Sequence, residues 1–334
     1  MDFQIPIQLK PLPFPISYRD KILLVGSCFT EHIGGRLQEL KFSVLQNPNG
    51  ILFDPASVST SILSYIEKKE YTANELFYRD ELWQSWQHHS RFSGTDQKSV
   101  LDNINASQHE ASEFIKNANW LVITLGSSFS YRLKSDEAPS EGSGTYREVA
   151  NCHRAPGQWF WKYLMEIEET FSSLNETIKK LAKYNPGMKI IFTISPVRHI
   201  RDGVIENNRS KSRLIEAVHQ LVNLYEHIYY FPAYELVIDV LRDYRFYDID
   251  LVHPNYPATE FVFEKFTESC IDDAAKQLIP DIKRIANAYK HKAFQPNTIA
   301  HRQFLQSSLE KATILQKEFP FLDFSEEIAY FNRM

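Results

Sequence analysis

The feature that most constrains this chain is a set of short, nearly unbroken apolar runs separated by longer amphipathic stretches. Residues 21–26, 42–46, 120–126, 189–195 and 228–231 have strand length and are rich in β-branched and aromatic side chains. The first, third and fourth runs lack the polar alternation of a half-solvated strand, which suits parallel strands covered on both faces. Leu164, Ile167, Phe171, Leu174, Ile178 and Leu181 recur at the three- and four-residue spacing of an apolar helix stripe. Leu214, Val218, Leu221, Val222 and Tyr225 repeat the pattern before the fifth run. Asn185-Pro186-Gly187 supplies stop signals after the earlier helix. This alternation predicts an α/β protein with a doubly wound, five-stranded, mostly parallel sheet and helices on both faces.

Two regions depart from the alternation. Residues 71–93 are crowded with aromatic and polar side chains (Phe77, Tyr78, Trp83, Trp86, His88, His89, Phe92) and read as an inserted hairpin or cap. Residues 135–145, with Pro139, Gly142 and Gly144, read as a polar loop. After His253 the pattern predicts a long helix through about Lys290 and then a helical tail. The expected organisation is an N-terminal arm at 1–20 and a main domain at 21–275, with its aromatic insertion at about 71–95. A helical extension at 276–334 packs on that domain.

Composition narrows the function. A net charge of −5 provides no broad basic surface, which argues against nucleic acid and anionic membranes as partners. Cys28, Cys152 and Cys270 are an odd, sparse set without C-x-x-C spacing, so a reducing compartment is expected. The first residues lack a basic segment followed by an apolar one, and no apolar run approaches the ~18 residues of a membrane span. The expected location is the cytoplasm.

Ligands of open parallel sheets sit beyond the carboxyl ends of the strands, and the candidate residues cluster after predicted strands. Gly26-Ser27-Cys28 closes the first, placing Ser27 or Cys28 on a strand-to-helix turn that faces the positive end of a helix dipole. The bland reading is a helix-capping serine and a buried cysteine. Asp250-x-x-His253, after the fifth strand, shifts the balance, because a carboxylate three residues before an imidazole can orient its tautomer. Nucleophile, base and orienting acid are the parts of a covalent hydrolase. Asn47 and Gly50 after the second run, and Gly126 and Ser128 after the third, could supply oxyanion donors or simply be turn residues. Asn151 and His153 form a further polar cluster with Cys152, and Arg198 and His199 follow the fourth run. Arg198 or Arg154 could meet an anionic substrate group or form structural ion pairs. His88 and His89 read as a solvated loop or a pocket mouth, and the aromatics around them as packing or a sugar-stacking surface. No second ligand pair accompanies Cys152 and His153, so neither metal nor cofactor is expected.

Gly26-Ser27-Cys28-Phe29-Thr30 resembles the name-giving motif of the GSCFA-domain family, a branch of the SGNH (GDSL-like) hydrolase superfamily. The likeness extends through Asn47-Pro48-Asn49-Gly50, Asn151-Cys152-His153, Ser195-Pro196-Val197-Arg198-His199 and the segment 242–247, covering about residues 20–270. It implies a three-layer α/β/α sandwich of flavodoxin-like order and chemistry on an ester or acyl group. In register, Cys28 stands at the nucleophile position and Ser27 where the superfamily has Asp. Gly50 matches the oxyanion glycine, Ser128 replaces the oxyanion asparagine, and Asp250 and His253 match the acid–base block. Asn151 is the candidate for the missing amide, and Ser27 is the nucleophile if the turn differs by one residue. The resemblance thus implies a hydrolase or acyltransferase for a small-molecule or carbohydrate ester; a thiol at a helix N-terminus beside a His is expected to have a lowered pKa. The competing reading is a non-catalytic carbohydrate- or acyl-ligand-binding module on the same scaffold. A redox-sensing role for Cys28 lacks a resolving partner in the sequence.

Overall fold

The computed structural model describes residues 5–134 and 147–332, so the polar stretch 135–145 lies outside the described residues. Strand β1 (Lys21–Gly26) leads through α1 (Cys28–Glu39) to β2 (Ser43–Gln46) and α2 (Pro55–Ile66). An antiparallel hairpin, β3 (Leu76–Arg79) with β4 (Leu82–Ser85), precedes α3 (Gln97–Lys116) and β5 (Trp120–Leu125). The strands β6 (Phe129–Leu133), β7 (Arg147–Glu148) and β8 (Phe160–Leu164) form a second, antiparallel sheet. Helix α4 (Ile167–Tyr184), β9 (Lys189–Ile194), α5 (Val204–Leu224) and β10 (Ile228–Phe231) complete the alternation. The chain then winds through α6 (Ala233–Glu235) into a π-helical turn at Leu236–Leu241. It finishes with α7 (Tyr256–Cys270), α8 (Asp273–Lys290), α9 (Ile299–Glu318) and α10 (Ser325–Phe331).

The central sheet has the order β10-β9-β5-β1-β2, and each neighbouring pair is parallel. The chain starts inside, runs to one edge and returns to the other, so the order reverses between β1 and β5. That is where an open α/β sheet forms its ligand crevice. Successive side chains divide the core in two. Leu23, Val25, Leu121, Ile123 and Phe192 pack with α2, α3, α4 and α5, while Ile22, Leu24, Trp120, Val122 and Ile191 pack with α1, α7, α8 and the tail. Burial of both faces explains why these strands read as continuous apolar runs. The protein is a three-layer α/β/α sandwich with two inserted β elements and a helical C-terminal region.

Two features differ from the expectation. The helix predicted to run to Lys290 is two helices, because Ile271 leaves helical geometry to pair in parallel with Ile16 of the N-terminal arm. Asp272 then starts α8 afresh by accepting a hydrogen bond from the Ala275 amide. The antiparallel sheet of β6, β7 and β8 was not anticipated; its strands are short and only partly buried, so they carry little periodic signal. Among the described residues no helix is long and apolar enough to cross a membrane.

Candidate active site

The β1–α1 turn is built by close approach. Gly26 has φ +150°, and a Cβ there would lie 2.2 Å from the Thr124 carbonyl oxygen of β5. Only glycine lets the two strand ends meet this tightly. The next amide, that of Ser27, donates to the same Thr124 oxygen at 3.0 Å. Asn47 clamps the turn from β2, its Oδ1 accepting from the Gly26 amide at 2.9 Å. Ser27 occupies the N-cap position of α1 but makes no capping bond, and its buried hydroxyl has no hydrogen-bond partner among the described residues. Cys28 opens the helix and is half-buried.

Burial pushes the Cys28 thiol pKa up, against the lowering expected from a helix N-terminus. The Phe29 amide and the Lys211 charge pull the other way, and desolvation outweighs them. Lys211 had no place in the sequence reading. It projects from α5 into the protein, 1% exposed, and its Nζ donates to the carbonyl oxygens of Gly126 and Ser195 at 2.6 Å each. Those carbonyls lie just beyond β5 and β9, so the ammonium is fixed at the carboxyl edge of the sheet. Desolvation lowers its pKa to about 7, opposed by coupling to Cys28. A sequence signal existed: Lys211 stands three residues before Leu214 on the stripe that continues through Val218 and Leu221, an inward position for a charge.

Gly126 joins the β1–α1 turn to His199. A Cβ on Gly126 would lie 2.9 Å from Phe53 Cβ, 3.0 Å from His199 Nε2 and 3.4 Å from Ser27 Cβ. Burial, with Lys211 and His253 adding to it, holds the His199 pKa down at about 3, so this imidazole stays neutral. His253 also lowers His32 on α1, though burial and Arg36 act on that ring more strongly. His253 thus acts electrostatically on both His199 and His32. Its Nδ1 lies 2.6 Å from Asp250 Oδ2, while Asp250 Oδ1 accepts from the amides of Val252 (2.9 Å) and His253 (3.0 Å). The His253 amide, its ring and the Val252 amide hold the Asp250 carboxyl at about 2. Both side chains are nearly half exposed (47% and 46%). The loop is tied to the sheet edge by the Arg198 amide, which donates to the Val252 carbonyl at 3.2 Å.

The expected oxyanion donors fare differently. The Gly50 amide donates to the Asn47 carbonyl at 2.7 Å, so it is already committed. Asn47 spends its side chain on the Gly26 amide and Glu31. The Gly126 amide donates to the Phe53 carbonyl at 2.8 Å. Ser128 is fully buried; its amide and hydroxyl both bond Ser210 of α5 at 2.8 and 3.1 Å. The Gly50, Gly126 and Ser128 amides are thus all committed, which leaves the amides at the head of α1. Asn151 accepts from the His153 amide through Oδ1 and lines the adjoining cleft. His153 packs edge-on to Phe77 and Trp86 with Nε2 donating to the Ser85 carbonyl at 2.8 Å, a packed ring at the cleft wall. His88 is not a solvated loop residue. It is 1% exposed, packed against Tyr71 and Phe92, and bonded to Ser85 Oγ at 2.9 Å. Trp86 stacks on Phe77 at 3.6 Å, so these aromatics of the insertion are packed on each other.

A cleft of about 1090 Å³ runs from this edge between the hairpin and the second sheet, with Phe53, Ser127, Arg198, His199 and Val252 in its wall. Among the described residues no group of three or more His, Cys, Asp or Glu side chains gathers to hold a metal.

The fold is a doubly wound sandwich, with the candidate side chains of β1–α1 at the carboxyl edge of its central sheet. Residues 21–266 match the GSCFA family, and residues 282–334 match the C-terminal domain of GSCFA domain proteins. The chain belongs to the GSCFA family. No curated protein matches it. A solved structure from Streptococcus pneumonia, whose description names platelet activating factor, aligns with 13% identity over 75% of this chain and 83% of that one. Its TM-score is 0.36, too low to carry an argument.

Proposed function

We propose that this protein is an SGNH-type hydrolase or acyltransferase that works through an acyl-enzyme on Cys28. The observation that carries the reading is the 2.6 Å contact of His253 Nδ1 with Asp250, on a loop tied to the carboxyl edge of the sheet through the Arg198–Val252 hydrogen bond. With Nδ1–H donated to Asp250, Nε2 is the bare acceptor a general base requires. His253 takes the Cys28 proton as sulfur bonds to the ester carbonyl carbon. The helix-head amides receive the oxyanion. Collapse breaks the carbon–oxygen ester bond, and the alkoxide leaves as an alcohol with the proton from His253. Water, or an acceptor alcohol, then adds to the thioester as His253 removes its proton. That proton returns to the departing Cys28 sulfur, which closes the cycle.

The raised thiol pKa and the committed donors favour the second reading, a binding module for acyl or carbohydrate ligands. Turnover of p-nitrophenyl hexanoate separates the two. Cys28→Ala is expected to lose about a thousandfold or more in kcat/KM, as nucleophile deletions do, while Ser27→Ala retains most activity. Loss in Ser27→Ala alone moves the nucleophile by one residue; turnover by neither parent nor variants supports the binding module. The reading carries with it a reducing compartment, since Cys28 must remain a thiol.

A further inference from the structure

The cleft beside the proposed nucleophile has an uneven charge balance. Its carboxylates, Asp80 and Asp202, are each ion-paired, Asp80 to Arg79 at 3.0 Å and Asp202 to Lys162. Its arginines are not. Among the described residues, no ion pair or hydrogen bond engages the guanidinium of Arg154, Arg198 or Arg201, all of which line the cleft. Elsewhere Arg36, Arg91, Arg132 and Arg213 each meet a glutamate within 3.1 Å. A chain of net charge −5 therefore concentrates uncompensated cations round one concavity, a focusing field for an anion. His199 in the same wall is neutral, so the positive charge there is carried by the guanidiniums.

The remaining wall is apolar. Phe53, Phe129, Tyr131 and Phe160 line it, and Phe53 also packs on His199 with ring centroids 5.1 Å apart. Phe53 and His199, both in this wall, also close on Gly126, which lies beside Ser27. Arg198 is fixed from behind, its guanidinium 5.7 Å from the Tyr247 ring and its amide bonded to Val252, one residue before His253. An anion bound there sits within one loop of the acid–base pair.

Building on the acyl-transfer reading, we propose that the substrate is an ester with an apolar body and an oxyanion, carboxylate or phosphate, bound by Arg198 and Arg201 with Arg154 assisting. Paired guanidiniums recognise planar carboxylates and phosphates through parallel charge-assisted bonds, whereas a neutral sugar or acyl chain would leave them unused.

Hydrolysis-resistant amides test the charge selectivity without requiring turnover. Calorimetry compares hexananilide, 4-hexanamidobenzoate and 4-hexanamidophenyl phosphate on the full chain. The anionic compounds are expected to bind at least about tenfold more tightly than the neutral one, the size of a hydrogen bond to a charged group. The stronger of the two identifies the oxyanion. In Arg198→Gln/Arg201→Gln the advantage falls to near unity, and in Arg201→Gln, whose side chain is exposed, it falls several-fold with the fold intact. Equal affinity for neutral and anionic amides, or an advantage that survives both variants, overturns the proposal. The matching phenyl esters are assayed in parallel. Selective binding with no ester turnover supports the anion cleft while counting against the acyl-transfer reading, so the two failures are distinguishable.

Discussion

The two halves of the candidate site are built in opposite ways. The β1–α1 turn is buried and pinned, with Gly26 pressed against Thr124, Asn47 clamping from β2, and Lys211 spanning two strand-end carbonyls beneath it. The Asp250–His253 loop is nearly half exposed and organises itself through hydrogen bonds three residues apart or closer. The buried half therefore gains rigid placement at the cost of a desolvated thiol. The solvated half is positioned by local geometry. Pairing a stiff, buried turn with a solvated loop lets desolvation act on one group without suppressing the other.

The largest expected effect breaks the wall. Gly26→Ala forces a Cβ into the Thr124 carbonyl and should destabilise by about 3 kcal/mol or more in urea unfolding, in the range of overpacking with backbone strain. A loss under about 1 kcal/mol would show that the turn is not the tight junction described here.

Lys211 gives the next largest effect, through pH. Its folded pKa of about 7 lies below the ordinary 10.5, so between these values the unfolded chain binds more protons. This group therefore costs stability in full below about 7, and that penalty is relieved as pH rises across the window, at up to about 1.4 kcal/mol per pH unit. Lys211→Met should flatten that rise and leave Cys28 less reactive to iodoacetamide at neutral pH, because the charge favouring the thiolate is gone. An unchanged stability slope and unchanged alkylation rate would separate Lys211 from the site.

Asp250 gives the smallest effect. Its folded pKa of about 2 lies below the ordinary 3.8, so its contribution is present above that range and lost as pH falls through it. NMR titration should find the carboxyl midpoint near 2 and, in His253→Ala, a return toward 3.8. A normal midpoint in the parent protein would mean that the pair is not formed in solution.

The same contrast explains what the sequence could reveal. Asp250 and His253 interact across three residues, so their spacing alone carried the geometry. The parallel sheet was legible because strands such as Trp120–Leu125 are buried on both faces and show it as unbroken apolar runs. The turn side chains depend on partners far along the chain. Ser128 looked like an oxyanion donor until Ser210, 82 residues on, claimed it. The Gly50 amide looked free because nothing in its motif reveals the Asn47 carbonyl folded back on it. The lowering expected at Cys28 failed because desolvation is a property of the packed interior, which no helix-terminus rule contains. Lys211 was hidden in plain composition, a lysine whose meaning depends on the two strand ends it bridges.

The central claim, that Cys28 is acylated with His253 as its base, is tested most directly by mass spectrometry of protein quenched during turnover of p-nitrophenyl hexanoate. The account predicts a hexanoyl adduct on the peptide containing Cys28, absent in Cys28→Ala and formed at least about a hundredfold more slowly in His253→Ala, in keeping with loss of a general base. An adduct on Ser27, or one on Cys28 that forms equally fast without His253, would contradict it.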